Sequence, residues 1–352
     1  MMMKRMGMAV VGAVVCASLL TGCKEKTPQA NENEGAKPAV GKTFRFNYSI
    51  FFPATHIQCK TATAWAAEVE KRSNGRIKID MHPGGSLTSA KQVYDGVVNG
   101  VSEIGMGCFA YTRGAFPLVE ALDLPLGYPN GAVATRIANE MIAKYKPVEL
   151  SKSHVLYLHA HGPGIFASKK PAKTLGDIKG QKIRATGLSS KIVERLGGIP
   201  VGMSQGETVE ALSKGVVEGT LCPVETLKGW KQGEAISGVT ELPGIGYTTS
   251  MFAVMNLEAW NSLPADLQKV VDEVSQEWIA KQGAAWDQAD TEGWAYIKEL
   301  GKSHYKLSET EAATARLLVR PLLDEYVAKA KGKGLPGEQF LKDLQAAIAA
   351  AK

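Results

Sequence analysis

The order of hydrophobic patterns after residue 43 limits this chain to an α/β fold. Apolar and polar residues alternate over 44–48 and again over 77–81, and each alternation predicts a strand. Between them, apolar residues within 62–69 share one face of a predicted helix. A second helix is expected at 90–98, and a short buried strand at 104–108. This strand–helix–strand–helix–strand order predicts a parallel sheet with crossover helices.

The same kind of pattern begins again in the second half of the chain. Strands are predicted at 155–158 and 182–184, and helices at 189–196 and 208–214. A strand at 252–256 is expected to return to the first half. The repetition predicts two α/β lobes between which the chain crosses more than once. We expect the following division: lobe I at 43–161 with 250–288, and lobe II at 162–249 with 289–352.

Two helices are predicted in the C-terminal part of the chain. Pro264, after Ser262 and Leu263, is expected to open a long helix. Ser308 and Glu311 have the spacing of a capping box at the start of a later helix. Pro321 is expected to kink or break that helix, because a prolyl residue cannot donate the backbone hydrogen bond.

The first 22 residues are predicted to be a signal peptide and not part of the fold. Lys4 and Arg5 precede an uncharged run at 6–20 that is too short to span a bilayer comfortably. Leu20, Thr21 and Gly22 then lead directly into Cys23, a pattern that resembles a bacterial lipobox and predicts a lipid on Cys23. The alternative is an ordinary secretory signal with a chance cysteine. Residues 23–42 are polar and are expected to be a tether.

Charge and cysteine content exclude two further classes. The formal net charge is +6, but the positive residues are scattered, so no nucleic-acid-binding surface is expected. Cys59, Cys108 and Cys222 are the cysteines that follow Cys23, and three is an odd number. A disulfide framework therefore does not hold the protein together, although the sequence leaves open whether Cys59 and Cys108 pair.

The chain lacks the common catalytic motifs. There is no G-x-S-x-G, no H-E-x-x-H and no phosphate-binding G-x-x-x-x-G-K-[ST]. His159 and His161 would share a face of a strand, but no Cys or acidic residue lies close in sequence, so local polar structure is the favoured interpretation over a metal site. We expect no catalytic activity, no metal and no cofactor.

Several stretches together resemble one transporter family. The N-terminal half contains Phe52-Pro53-x-x-His56, Asn74-Gly75-Arg76-Ile77-Lys78, Gly84-Gly85-Ser86-Leu87 and Tyr94-Asp95-Gly96-Val97. The rest contains Lys169-Lys170-Pro171, Leu175-x-Asp177-Ile178-Lys179-Gly180-x-Lys182-Ile183-Arg184, Leu196-Gly197, Gly215-Val216-Val217-Glu218-Gly219 and Asn256-Leu257-x-x-Trp260-x-x-Leu263-Pro264. In this order they resemble the substrate-binding subunit of a tripartite ATP-independent periplasmic (TRAP) transporter of the C4-dicarboxylate-binding type.

The resemblance implies a fold and a function. The fold would be the two-lobed Venus flytrap of periplasmic binding proteins, type II-like, with a cleft between the lobes and a long helix that spans both. The protein would be a periplasmic monomer that captures an organic acid and delivers it to a small and a large membrane subunit, driven by an ion gradient and not by ATP. The alternatives are an ABC-type or sensory binding lipoprotein, a surface-anchored enzyme on this scaffold, and a structural lipoprotein.

Arg184 is the residue that the resemblance marks most clearly. It ends the family segment Lys-Gly-x-Lys-Ile-Arg and lies at the end of a predicted strand, where open α/β sheets bind ligands. A guanidinium offers two parallel donors to a carboxylate and stays charged when buried. The alternative is an internal ion pair between Arg184 and an Asp or Glu.

The other predicted pocket positions are less polar than in familiar members of the family. Gly164 stands where those members often have a second arginine, and Cys222 stands where they often have an asparagine. By approximate alignment with the family, four more residues fall at pocket-lining positions: Phe51, Cys108, Phe109 and Gln205. Phe166, two residues after Gly164, is a further candidate. A single anionic anchor with aromatic walls predicts a monoanion, such as a carboxylate, keto acid or sulfonate with an apolar or aromatic part.

Three further residues have two interpretations each. His56 starts a helix and would either donate to the anion or cap the helix. Glu225 would either accept a hydrogen bond from a ligand hydroxyl or amine, or be solvated. Trp230 would either shield the ligand or pack under the hinge.

Overall fold

The computed structural model describes residues 42–351. The predicted signal peptide at 1–22, the lipidation site Cys23 and nearly all of the tether lie outside the described residues. Among the helices of the described part, none has both the length and the apolar character that a membrane span requires.

The first sheet has five strands in the order β2-β1-β3-β10-β4. Its strands are β1 (Phe44–Ile50), β2 (Ile77–His82), β3 (Ile104–Cys108), β4 (Ser153–Ala160) and β10 (Ser250–Asn256). Strand β1 is parallel to β2 and β3, as predicted, whereas β10 is antiparallel to both β3 and β4. The sheet is therefore mixed, because β10 enters it from the second lobe and not through a crossover helix.

Helices cover this sheet. They are α1 (Ile57–Arg72), α2 (Val93–Val98), α3 (Gly131–Tyr145) and α7 (Leu257–Ser262). The predicted apolar face of α1 is buried, and Trp65 on it is fully enclosed. Asn74, with a φ of 53°, turns the chain out of α1 toward β2, a conformation that Asn tolerates better than most residues.

The second sheet has six strands in the order β11-β9-β5-β8-β6-β7. These strands are β5 (Gly164–Ser168), β6 (Lys182–Ala185), β7 (Ile199–Gly202), β8 (Gly219–Pro223), β9 (Gly238–Glu241) and β11 (Ser303–Lys306). Its shorter helices are α4 (Leu188–Arg195), α5 (Gln205–Ser213) and α6 (Thr226–Gly229). Strand β6 is parallel to β7 and β8, so the carboxyl end of β6 lies beside that of β8.

The chain crosses between the sheets at three places. Residues 161–163 join β4 to β5, and residues 242–249 join β9 to β10. The third crossing is α8 (Ala265–Glu299), whose 35 residues extend for about 52 Å. It packs on α1, α3 and β4 of the first lobe and on α6 of the second. The two-lobed fold and its long helix are confirmed.

The C-terminal helices differ from the predicted division. They are α9 (Glu309–Val319), α10 (Pro321–Gly332) and α11 (Gly337–Ala350). Helix α11 packs on α3 of the first lobe, although 289–352 was assigned to lobe II. Its buried face, which includes Phe340 and Leu344, covers apolar surface that α3 leaves open. The chain thus crosses to the first lobe once more after α9.

Helix α10, between α9 and α11, contacts both lobes. Glu325 pairs with Lys191 and Arg195 of α4, whereas Lys329 pairs with Glu120 of the first lobe. The break at Pro321 is confirmed, since α9 ends at Val319.

The predicted capping box before α9 is half formed. Ser308 accepts from the backbone of Glu311, but the Glu311 carboxylate accepts from Leu175 N instead of returning to Ser308.

Candidate ligand-binding site

A small cavity lies between the lobes, at the carboxyl ends of β6 and β8. Seven of the predicted site residues line it: Phe51, Cys108, Arg184, Gln205, Cys222, Glu225 and Trp230. The cavity has a volume of about 20 Å³, which is room for about one water molecule. A cleft of about 800 Å³ adjoins it and shares Tyr111 and Thr186 with it. Entry of an organic molecule therefore requires the lobes to move apart.

Arg184 is the main charged group of the cavity. It occupies the end of β6, and only 2% of its surface is exposed. Its Nε donates to the carbonyl oxygen of Met203 at 3.1 Å, whereas its buried Nη2 has no hydrogen-bond partner. None of the ion pairs formed within residues 42–351 includes Arg184. The internal ion pair that the sequence left open is thus not formed, and the guanidinium is free to bind an anion.

Aromatic rings form one wall of the cavity. Phe51 and Trp230 are stacked with ring centroids 6.1 Å apart, and Tyr111 meets Phe51 edge-on at 5.6 Å. The Tyr111 hydroxyl accepts from Gln205 N at 3.1 Å, and burial raises the pKa of Tyr111 well above its usual value. The Trp230 Nε1 is buried without a hydrogen-bond partner. The wall thus offers flat apolar surface and one further donor.

His56 and Glu225 form a buried pair that joins the lobes. His56 caps α1, where its Nδ1 accepts from Gln58 N at 3.2 Å. Its Nε2 lies 2.8 Å from Oε2 of Glu225, which is 3% exposed. His56 is not among the residues that line the cavity, but it holds one that is. The capping interpretation of His56 is confirmed, and its other ring nitrogen contacts Glu225.

The three cysteines within residues 42–351 are buried and unpaired. Cys59, Cys108 and Cys222 all have free thiols, so Cys59 and Cys108 do not pair. Burial raises the pKa of the Cys222 thiol to about 11 and raises that of Cys108 further. At neutral pH both are neutral thiols that pack against the cavity.

Besides His56, two predicted residues lie outside the small cavity: Phe109 and Phe166. Phe109 lines the adjoining cleft, where its ring packs against Phe116 and Phe252. Phe166 belongs to the hydrophobic core, in a strand whose two faces are both buried. The structure therefore brings neither ring to the cavity beside Arg184.

Two cavity residues that were not predicted from the sequence, Tyr247 and His161, come from the chain crossings. Tyr247 fills the space beside Gly164, where a Cβ atom would collide with its ring, and Gly164 N donates to the Tyr247 carbonyl at 3.0 Å. His161 also lines the cavity, and burial lowers its pKa to about 4, so it is neutral. Gly164 was the available signal, since a glycine in place of a long side chain leaves room for another.

The histidine pair does not form a metal site. His159 Nδ1 accepts from Trp286 Nε1 at 3.0 Å, and burial lowers the pKa of His159 to about 3. No group of three or more His, Cys, Asp or Glu residues in the described part of the chain has metal-binding geometry.

Two α/β lobes around a buried, unpaired guanidinium define a two-lobed solute-binding protein. The chain belongs to the bacterial extracellular solute-binding proteins of family 7, whose model matches residues 48–330. The resemblance to TRAP substrate-binding subunits is thereby confirmed, and the protein is a transport component whose family is extracytoplasmic.

Three solved TRAP solute-binding proteins illustrate the similarity. One from Desulfovibrio salexigens, in an open form, is 33% identical, with 87% of this chain and 95% of that chain covered and a TM-score of 0.77. One from Rhodoferax ferrireducens, with copurified benzoate, is 28% identical, covers 88% and 98%, and has a TM-score of 0.83. One from an unidentified microbe of a marine metagenome, specific for aromatic acids and bound to 3-hydroxybenzoate, is 28% identical, covers 88% and 99%, and has a TM-score of 0.84.

Proposed function

We propose that this protein captures a small organic monoanion with an aromatic or apolar body and delivers it to the small and large membrane subunits of a TRAP transporter. The head group is a carboxylate, as in a simple or keto acid, or a sulfonate. The protein acts in the periplasm as a monomer, held to a membrane by a lipid on Cys23.

Arg184 carries the proposal. A buried guanidinium without a carboxylate partner is costly, and an anionic ligand removes that cost through charge-assisted hydrogen bonds. The aromatic wall suits a planar, apolar ligand body. The benzoate and 3-hydroxybenzoate bound by two structurally similar proteins support an aromatic acid as the first class to test.

A thermal-shift screen against organic anions tests the proposal. A ligand at about 1,000 times its Kd stabilises the folded protein by about 4 kcal/mol. For about 310 ordered residues the unfolding entropy is about 0.65 kcal/mol/K, which gives a rise in Tm of about 6 °C. We expect monocarboxylates or sulfonates to produce this rise, and Arg184→Ala to abolish it.

Arg113→Ala is the matched control, because Arg113 lies in the adjoining cleft and is exposed. It should keep the ligand-induced rise. A rise that survives in Arg184→Ala would refute the assignment of Arg184 as the anchor.

The lipid anchor is tested separately. Cys23→Ala should release the protein from the membrane fraction into the soluble periplasmic fraction. Retention of that variant in the membrane would refute the lipid anchor without affecting the ligand site.

A further inference from the structure

Glu225 is an unexpected residue in a cavity that binds anions. It lines the same cavity as Arg184, yet its carboxylate is almost completely buried. A buried negative charge repels any second negative charge on the ligand, and its own burial has an energetic cost that contacts must offset. Such a group is expected to act on ligand choice, because other side chains of this size would fill the space without that cost.

The hydrogen bonds around His56 fix its tautomer. A backbone N–H can only donate, so Nδ1 of His56, which receives the Gln58 N–H, carries no proton. The proton of the neutral imidazole is then on Nε2, which donates to Oε2 of Glu225 at 2.8 Å. Histidine in this tautomer brings no positive charge, so the pair retains the negative charge of the carboxylate.

The second carboxylate oxygen remains available to a ligand. Within residues 42–351, Oε1 of Glu225 has no hydrogen-bond partner, in contrast to Oε2. Gly229 makes the arrangement possible, because a Cβ atom there would lie 2.8 Å from both Oε2 of Glu225 and Nε2 of His56. The pair is therefore fitted into the local backbone with one acceptor left over.

Arg184 and Glu225 lie on neighbouring parts of the second lobe. Arg184 is the last residue but one of β6, Glu225 follows β8, and the two strands are adjacent. Arg184 is in register with Thr220 of β8, and the chain then runs through Cys222 and the end of β8 before it reaches Glu225. The cavity is thus positive at one end and negative at the other, with Phe51 and Trp230 along its wall.

We propose that Glu225, held by His56, selects monocarboxylates that carry a hydrogen-bond donor, a hydroxyl or amino group, at the end remote from the carboxylate, and rejects dicarboxylates. The proposal rests on the proposed function and deepens it. A ligand donor gains a charge-assisted hydrogen bond to Oε1, whereas a second carboxylate meets a like charge in a buried site.

Calorimetric titration with matched benzoic acids tests this selection. The probes are benzoate, its 3- and 4-hydroxy and amino derivatives, and the dicarboxylates isophthalate and terephthalate. In the unmodified protein, the best hydroxy or amino derivative should bind at least about 10-fold more tightly than benzoate. Both dicarboxylates should bind at least about 10-fold more weakly than benzoate.

Two substitutions of Glu225 separate its charge from its acceptor. Glu225→Gln removes the charge and should bring dicarboxylate binding to within a few fold of benzoate. Glu225→Met removes the acceptor and should abolish the advantage of the hydroxy and amino acids, while benzoate still binds. Glu194→Gln is the matched control, since Glu194 is exposed in the adjoining cleft, and it should leave all affinity ratios unchanged.

His56 variants test the positioning role through the same ratios. His56→Gln keeps a donor for Glu225 and should retain the preference for hydroxy and amino acids, whereas His56→Ala should lose most of it. If Glu225→Met or His56→Ala melts far below the unmodified protein, the comparison uses Glu225→Gln or His56→Gln in its place. These two are closest in shape to the original side chains.

The outcomes distinguish the two proposals. If benzoate binds through Arg184 but the hydroxy and amino derivatives bind no more tightly, the role of Glu225 is overturned and the proposed function stands. The role of Glu225 is also overturned, and the proposed function stands, if the dicarboxylates bind the unmodified protein as tightly as benzoate. If no acid of the series binds in a manner that Arg184→Ala abolishes, the selection proposal fails together with the aromatic-acid class.

Discussion

Gly293 lies in the second half of α8, where the helix passes the turn between β8 and α6. A Cβ atom at this position would lie 2.5 Å from the Val224 carbonyl oxygen and 3.1 Å from Cα of Glu225. Both neighbours are backbone atoms, so relief requires the helix and the turn to separate by most of an ångström. We therefore expect Gly293→Ala to be destabilising, although alanine favours helices.

The magnitude follows from two opposing effects. Overpacking a close contact costs about 1–3 kcal/mol, and contact with backbone places this case near 3. Replacement of glycine by alanine in a helix returns about 1 kcal/mol. The net loss of about 2 kcal/mol corresponds to a fall in Tm of about 3 °C for a domain of this length. Because Glu225 moves with the turn, the preference for hydroxy and amino acids should also weaken.

Gly332→Ala is the internal comparison. Gly332 is the last residue of α10, is exposed, and would meet no atom within 4 Å of an added Cβ. The Tm of the Gly332→Ala variant should stay the same or rise by about 1 °C. Thermal melts followed by circular dichroism at 222 nm measure both variants. An unchanged or higher Tm for Gly293→Ala would refute the inferred close packing of α8 on the turn.

Three further predictions concern titration, thiols and packing. Burial raises the pKa of Asp123 to about 7 in the folded protein, whereas the carboxyl has a pKa of about 4 in the unfolded chain. The free energy of unfolding therefore falls as the pH rises from about 4 to 7. Asp123→Asn should remove that fall and be more stable than the unmodified protein at pH 8 by roughly 2–4 kcal/mol. Urea titrations at pH 5 and 8 measure this difference, and a parallel fall in both proteins would contradict the prediction. The thiols of Cys59, Cys108 and Cys222 should not react with Ellman's reagent at pH 8 until guanidinium unfolds the mature domain, whereas rapid reaction of the native protein would contradict their burial. Phe166→Ala should reduce stability by about 3–5 kcal/mol yet leave the relative affinities for benzoic acids unchanged, because the ring lies in the core, and altered selectivity would return Phe166 to the site.

The sequence predicted the elements whose signals are local. Strand alternation at 44–48 and 77–81, the proline at the start of α8 and the break at Pro321 each depend on a few neighbouring residues. Arg184 was predictable for a related reason, since a strand end followed by a turn presents its last side chains to a cleft.

The parts that sequence analysis missed depend on tertiary packing. Both faces of β5 are buried, with Phe166 in one hydrophobic cluster and Ile165 in another, and the sequence of the strand alone does not show that both faces are covered. Tyr247 comes from a crossing without regular structure, so its place beside Gly164 follows only from the folded arrangement of both lobes. Helix α11 at 337–350 buries one apolar face, but its sequence does not specify which lobe that face covers.

The ion pairs of α10 make the two-lobed arrangement sensitive to dissolved salt. Glu325 pairs with Lys191 and Arg195 of one lobe, and Lys329 pairs with Glu120 of the other, all on partly exposed side chains. Exposed pairs weaken as the Debye length falls from about 10 Å at 0.1 M salt to about 3 Å at 1 M. A higher ionic strength should therefore weaken the links that α10 makes to both lobes, so the apparent affinity for a solute should vary with the salt concentration around the protein.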